Sequence, residues 1–200
     1  MKTKIKILVV LSISLLGLFA FKSIESKKII VIDADHGGDD SGAILEGFQE
    51  KIIVEAIAKK IKSQNNNENL EIVLLREGDH FIELGERVSV INKLNPNLVI
   101  SLHINGSKDF SKNGVEAYIS PDVKFYKQSK ESAENVLEKI AAENLFKGKV
   151  SEANFFILKK SDCPAMTLEM GYLTNESDRK YITSEKGQNE IAAKILEAIK

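Results

Sequence analysis

The chain has 200 residues but only one cysteine, three prolines and three histidines, and its charges nearly cancel to a formal net charge of −1 at pH 7. Each scarcity excludes something. With Cys163 alone there is no internal disulfide, so the fold must be held by its core, and the lone thiol is expected to be buried and inert. No low-complexity tract occurs beyond the polar SQNNNEN at 63–69, and no internal repeat is visible, which argues against a solenoid. A near-neutral chain lacks the basic footprint of a nucleic-acid binder, so no nucleic-acid partner is expected.

The composition that remains is globular, 43% hydrophobic and 28% charged. The length suits one domain with a sizeable core and is short for two. The first residues differ from the rest. Lys2, Lys4 and Lys6 precede the uncharged run ILVVLSISLLGLFAF (7–21), which reads as a secretory leader over residues 1–23. The run is shorter than the roughly 20 residues of a membrane-crossing helix. Because LFAF is a poor cleavage site, an uncleaved anchor is the alternative, while the lack of a cysteine near Ala20 argues against a lipoprotein. The domain is expected over 28–200.

Within it, β-rich runs alternate with helical patterns. KKIIVIDA (27–34) reads as a buried strand. Apolar positions 48, 52, 53, 56, 57 and 61 follow a helical period. LEIVLLR (70–76) predicts a strand, FIELGERVSVINKL (81–94) a helix, and LVISLHIN (98–105) another strand. GVEAYIS (114–120) alternates like a strand with one wet face, and positions 133, 136, 137, 140, 141 and 145 mark a helix. NFFILK (154–159) and AMTLEM (165–170) are expected strands before a closing helix with Ile191, Ile195, Ala198 and Ile199 on one face. The alternation predicts a single α/β domain, its largely parallel central sheet flanked by helices on both faces.

Ligand sites in such sheets gather beyond the carboxyl ends of strands. Three predicted strand ends carry ionisable groups: His36, His103 and Glu169. Glu50, in the first turn of its helix, roughly shares the inward stripe of Ile57 and Ile61. The helix N-terminus favours a carboxylate there, but burying it demands a counter-charge or a metal; a solvated first-turn glutamate is the alternative. Glu169 interrupts the apolar PAMTLEMGYL (164–173), where a carboxyl either stays neutral with a raised pKa or faces a cation. Two imidazoles with one or two carboxylates fit a catalytic zinc site. No HExxH is present, so local spacing alone leaves the metal open.

VIDADHGGDDSGA (31–43), the pair EK at 50–51, LLREGDHFIELGERVSVIN (74–92), LVISLHIN and PAMTLEMGYLTN (164–175) come in the order seen in zinc-dependent N-acetylmuramoyl-L-alanine amidases of the amidase 3 type. The resemblance runs from about Ile29 to the C-terminus. It implies one Zn²⁺ ligated by His36, Glu50 and His103, with Glu169 as the catalytic carboxylate. It further implies hydrolysis of the muramoyl–L-alanine amide of peptidoglycan, for wall remodelling or daughter-cell separation. Arg76, Asp79 and Arg87 match positions read as structural ion-pairing groups, and Asn105 and Asn175 match positions read as loop-fixing or substrate-contacting. Asp35 stands where the family usually has glycine; it is expected either to tolerate a tight or left-handed backbone or to accept a hydrogen bond from a ligand histidine. Ser41 replaces a common proline, and His80 is expected to be a surface loop residue. The leader predicts export to the periplasm or the medium, which fits this chemistry; a monomer is expected, with recruitment, if any, through its own surface or a protein activator. Ser129 to Asn144 reads as one ordinary amphipathic helix, not an autoinhibitory insert. The rival readings are a non-catalytic peptidoglycan-binding relative and a zinc peptidase cutting within the stem peptide.

Overall fold

A computed structural model describes residues 27–121, 123–141 and 144–200. The expected leader therefore lies outside the described residues. The elements run β1 (Lys28–Ala34), β2 (Ile44–Leu45), β3 (Phe48–Gln49), α1 (Glu50–Gln64), β4 (Leu70–Leu74), α2 (Leu84–Leu94) and β5 (Leu98–Asn105). They continue with β6 (Val115–Ile119), α3 (Tyr126–Ile140), β7 (Lys147–Glu152), α4 (Phe156–Lys160), β8 (Ala165–Tyr172), α5 (Glu176–Ile182) and α6 (Glu185–Ile199). Six strands form one sheet in the order β4-β1-β5-β8-β6-β7, while β2 and β3 make a small hairpin of their own. Every neighbouring pair in the large sheet is parallel except β6 with β8.

Strand side chains alternate between faces, and the two faces are covered differently. Ile30, Ile32, Ile100, Leu102, Met166 and Leu168 pack into the larger core with residues of α1, α3 and α6. Val31, Val99 and Ala165 point the other way, onto Ile91 of α2 and Ile157 and Leu158 of α4. Helices on both faces explain why β1 is a continuous apolar run and not an alternating one. On the second face the same strands change character toward their carboxyl ends. Asp33 pairs with Ser101, Ser101 with Thr167, and Thr167 with Tyr118. One step further out, His103 pairs with Glu169 and Glu169 with Glu116. Two polar rows thus cross the sheet beyond the apolar patch covered by α2 and α4.

Some expectations are corrected. The run 154–159 is not a strand: Phe156–Lys160 forms the short helix α4. Its β-forming side chains misled because the sheet edge beside β6 is already taken by β7, so the segment gains more by driving Ile157 and Leu158 into the core. β7 itself (KGKVSE) has mostly exposed residues and no apolar alternation, as suits a charged edge strand, and so gave no signal. The hairpin β2–β3 and helix α5 also went unpredicted. Phe48 belongs to β3, so α1 begins at Glu50. α3 lies earlier than its apolar pattern suggested and ends at Ile140, where 129–144 was expected; residues 142 and 143 are outside the described residues.

Two arginines are buried to 1% exposure, which only full pairing makes tolerable. Arg76 forms an ion pair with Glu55 at 3.0 Å and donates to the carbonyls of Ala34 (3.1 Å), Gly78 (2.6 Å) and Lys51 (3.2 Å). It thereby joins β1, α1 and the loop after β4. Asp79 pairs with Lys51 at 2.8 Å and accepts from the Gly38 N–H at 2.8 Å, while His80 is exposed. Cys163 lies in the second core, where burial first and then the nearby Asp162 push its thiol up to about 12.

Two outcomes follow. Arg76→Ala leaves Glu55 with Lys59 as its remaining cation but takes the donor from three carbonyls, and should lower stability by about 1–3 kcal/mol, read as a reduced urea midpoint. Cys163 should resist alkylation in the native protein at pH 8, where a free thiol of pKa about 8.5 reacts readily; labelling should appear only with unfolding.

Candidate metal and catalytic site

The turn after β1 places the first histidine. His36 has φ 62, the left-handed region that costs a non-glycine residue on the order of 1–2 kcal/mol. The left-handed residue is thus His36, and Asp35, expected to occupy a strained position, does not have a positive φ. The Gly37–Asp40 bridge closes the turn, with N–H···O bonds of 2.8 and 3.1 Å between their backbones. Gly42 (φ 63) must be glycine on steric grounds. A Cβ there would lie 2.5 Å from Glu50 Oε2 and 2.6 Å from His36 Cδ2.

The second group comes from the head of α1. Glu50 is 4% exposed. Its Oε2 accepts the Ala43 N–H at 2.8 Å, and its Oε1 accepts the Ile104 N–H at 2.9 Å. The same Oε1 lies 3.1 Å from His36 Nε2 and 3.2 Å from His103 Nδ1. For metal bonds of 2.0–2.1 Å, the edge between two tetrahedral donors is about 3.3 Å, so this carboxylate sits at donor-edge distance from both imidazoles. Asp35, His36 and His103 also each offer one donor atom within 4.8 Å of the others.

The outer nitrogens of both rings meet carboxylates. Asp40 Oδ2 is 2.9 Å from His36 Nδ1, and Asp35 Oδ2 is 3.2 Å from His103 Nε2. Asp35 Oδ1 is in turn 3.1 Å from Arg87. Arg87 is ion-paired with the fully buried Asp33 and donates to the carbonyl oxygens of Ile82 and His36. Sequence reasoning missed Asp33, Asp40 and Ser101. The signal was available for Ser101, two residues before His103 on the same strand face, and for Asp40, four after His36 in a glycine turn.

Electrostatically the cluster is short of positive charge. Burial would depress both imidazoles, but Glu50 and Asp40 push His36 up to about 9, and Asp35 and Glu50 push His103 up to about 10. Burial opposes ionisation of Glu50, yet hydrogen bonds from His103 and His36 hold it down at about 2; His103 and Arg87 keep Asp35 well below the usual carboxylate range against the same opposition. A divalent cation would satisfy these carboxylates by displacing the ring protons.

Glu169 is different. Burial chiefly raises it to about 7, with His103 pulling down and Glu50 and Glu116 pushing up. Its Oε2 is buried without a hydrogen-bond partner. Glu169, His103, Asp35 and Thr167 line a cavity of about 290 Å³ whose apolar wall includes Phe155 and Phe156. Glu116, beyond Glu169, accepts from Tyr118 and Tyr172 hydroxyls at 3.3 and 3.1 Å. Asn175 stands further off as the N-cap of α5, its Oδ1 accepting from Asp178 N–H at 3.1 Å and its Nδ2 donating to Phe110 O at 3.0 Å. Asn105 Oδ1 accepts the N–H of Gly106 at 2.9 Å, and its carbonyl accepts from Leu173.

Comparison with known proteins identifies the family. The profile of the N-acetylmuramoyl-L-alanine amidase family matches residues 30–200. A putative N-acetylmuramoyl-L-alanine amidase of Buchnera aphidicola is 32% identical over 205 residues, covering 86% of this chain and 94% of that one. The catalytic domain of CwlV, an N-acetylmuramoyl-L-alanine amidase of Paenibacillus polymyxa, superposes with a TM-score of 0.79 at 35% identity, covering 86% of this chain and 96% of its own. An N-acetylmuramoyl-L-alanine amidase of Clostridium difficile gives a TM-score of 0.82 at 28% identity, over 87% of this chain and 95% of that one. With a family match spanning nearly the whole described domain and a fold shared with solved amidases, this chain belongs to the N-acetylmuramoyl-L-alanine amidase family and is a cell-wall amide hydrolase.

Proposed function

We propose that the chain uses one zinc ion, held by His36, Glu50 and His103, together with a proton carried by Glu169, to cleave the muramoyl–L-alanine amide. The observation that carries this reading is Glu50 Oε1 lying 3.1 and 3.2 Å from facing nitrogens of two histidines, with Glu169 one strand over from His103. The donor set fits zinc, since two imidazoles and one carboxylate leave a fourth position open. When bound, zinc acidifies a water and polarises a carbonyl oxygen.

The chain's own residues do the rest. Glu169, with a proton affinity near neutrality and an unpartnered oxygen, accepts a proton from the water that attacks the lactyl carbonyl carbon. It then delivers that proton to the alanine nitrogen, because an amide nitrogen leaves only once protonated. The C–N bond breaks to give a lactyl carboxylate and a free L-alanyl amine. Phe155 and Phe156 give the cavity an apolar wall, and Asn105 and Asn175 fix nearby loops.

Export of the chain by residues 1–23, cleaved or retained as an anchor, would bring residues 28–200 to peptidoglycan in the periplasm or the medium. A protein partner is proposed on the likeness to the CwlD amidase of Clostridioides difficile, solved in complex with the GerS lipoprotein (TM-score 0.79, 26% identity, 86% of this chain and 96% of that one).

His36→Ala, Glu50→Ala and His103→Ala should each lose zinc, measured by elemental analysis of purified protein, and lose activity with it. Glu169→Gln should retain zinc yet lose about 100-fold or more in kcat; a fully active Glu169→Gln would remove Glu169 from the mechanism. Mass spectrometry of digested peptidoglycan fragments should show stem peptides with a free N-terminal L-alanine, formed with zinc and abolished by a chelator. Cuts inside the stem would instead establish the peptidase reading.

A further inference from the structure

The far side of His103, away from Glu50, is more constrained than a bare ligand set requires. Nε2 lies 3.2 Å from Asp35 Oδ2 and 3.2 Å from Ser101 Oγ. Ser101 has one hydroxyl proton, and it points to Asp33 Oδ2 at 3.1 Å, so toward His103 the hydroxyl offers a lone pair. The Asp35 carboxylate offers only lone pairs. A metal-ligating imidazole is neutral and carries a single N–H, and both of these neighbours call for it on Nε2. Nδ1 is then left bare on the side of Glu50 Oε1.

We propose that Asp35 is a positioning residue that fixes His103 as the Nε2–H tautomer and so holds Nδ1 as a metal donor, an assignment that rests on the metal site proposed above. Asp35 can impose this because it is itself immobilised. Its other oxygen meets Arg87 at 3.1 Å, and the two side chains are only 17% and 1% exposed. Arg87 is anchored by its ion pair with Asp33 and by donation to the carbonyls of Ile82 and His36, at 3.0 and 2.9 Å. The relay Asp33–Arg87–Asp35–His103 therefore ties β1 and α2 to β5. With Asp35 removed, only the neutral Ser101 oxygen, whose proton stays turned to Asp33, still calls for the proton on Nε2, and the Nδ1–H tautomer gains population. In that tautomer the Nδ1 proton hydrogen-bonds Glu50 and blocks the metal. A carboxylate on the outer nitrogen also makes the ring a more basic ligand.

His36 supplies an internal comparison. Its outer nitrogen meets Asp40, but Asp40 is 45% exposed and is fixed by one backbone N–H, from Gly42 at 3.0 Å. Water can replace it.

The test is the zinc dissociation constant, by chelator competition on the purified chain, for wild type, Asp35→Ala, Asp35→Asn and Asp40→Asn. It is paired with ¹⁵N spectra of the His103 ring in the zinc-loaded protein and with thermal midpoints. Asp35→Ala should weaken zinc binding about 10–100-fold, with the Nε2–H signal lost or exchanging. Asp35→Asn, which keeps an acceptor but not the charge, should fall between it and wild type and remain folded if Asp35→Ala does not. Asp40→Asn should cost less than Asp35→Asn. Wild-type zinc affinity and an intact Nε2–H signal in both Asp35 variants, with only the thermal midpoint lowered, would make Asp35 a structural partner of Arg87 and overturn the proposal. A wild type binding zinc no better than His36→Ala would instead overturn the metal site itself, and the role of Asp35 with it.

Discussion

Glu50 is a carboxylate that is 4% exposed at the first turn of α1, and removing such a charge from water costs several kcal/mol unless it is matched. The match comes from four directions: the N–H groups of Ala43 and Ile104, and the rings of His36 and His103. To supply them, the turn after β1, the β2–β3 hairpin, the head of α1 and the end of β5 must all converge. The local structure is therefore arranged around one oxygen pair. The helix N-terminus contributes by favouring negative charge there, and Gly42 contributes by having no side chain in the way.

The cleft beside this cluster is a consequence of element length. On one face of the sheet, α2 and α4 cover the apolar half, where Val31, Val99 and Ala165 meet Ile91, Ile157 and Leu158. The same strands run on past this patch, and their next inward-facing residues are Asp33, Ser101 and Thr167, then His103, Glu169 and Glu116. Like charges placed directly across a strand pair are destabilising, so Glu169 opposite Glu116 is a local conflict. Burial resolves part of it by holding Glu169 near neutrality, the property a proton carrier needs.

One strained backbone position and the two most buried arginines lie together at the site end of the molecule. His36 occupies a left-handed conformation, and the two deepest arginines flank it. Arg76 donates to the carbonyl of Ala34, and Arg87 donates to that of His36. These contacts over-determine the turn, which is how an unfavourable backbone persists. The large core formed with α1, α3 and α6 on the opposite face supplies the stability against which such polar burial can be set.

By itself the sequence determined the alternation of strand and helix, the two-sided burial of β1, and that His36 and His103 would stand at the polar ends of strands, whereas Glu169, expected at a strand end, lies inside β8. Apolar periodicity is local, and it was legible wherever a segment packs against the core. Glu169 in its apolar strand and His103 at the polar end of LVISLHIN were visible for the same reason. Only the tertiary structure decided that 156–160 is a helix, that the charged segment 147–152 completes the sheet, and that Asp35 reaches the outer nitrogen of His103 while Arg87 holds it. Those outcomes depend on which edge is already occupied and which buried charge still lacks a partner. Both are contacts between residues far apart in the chain, and no local pattern encodes them.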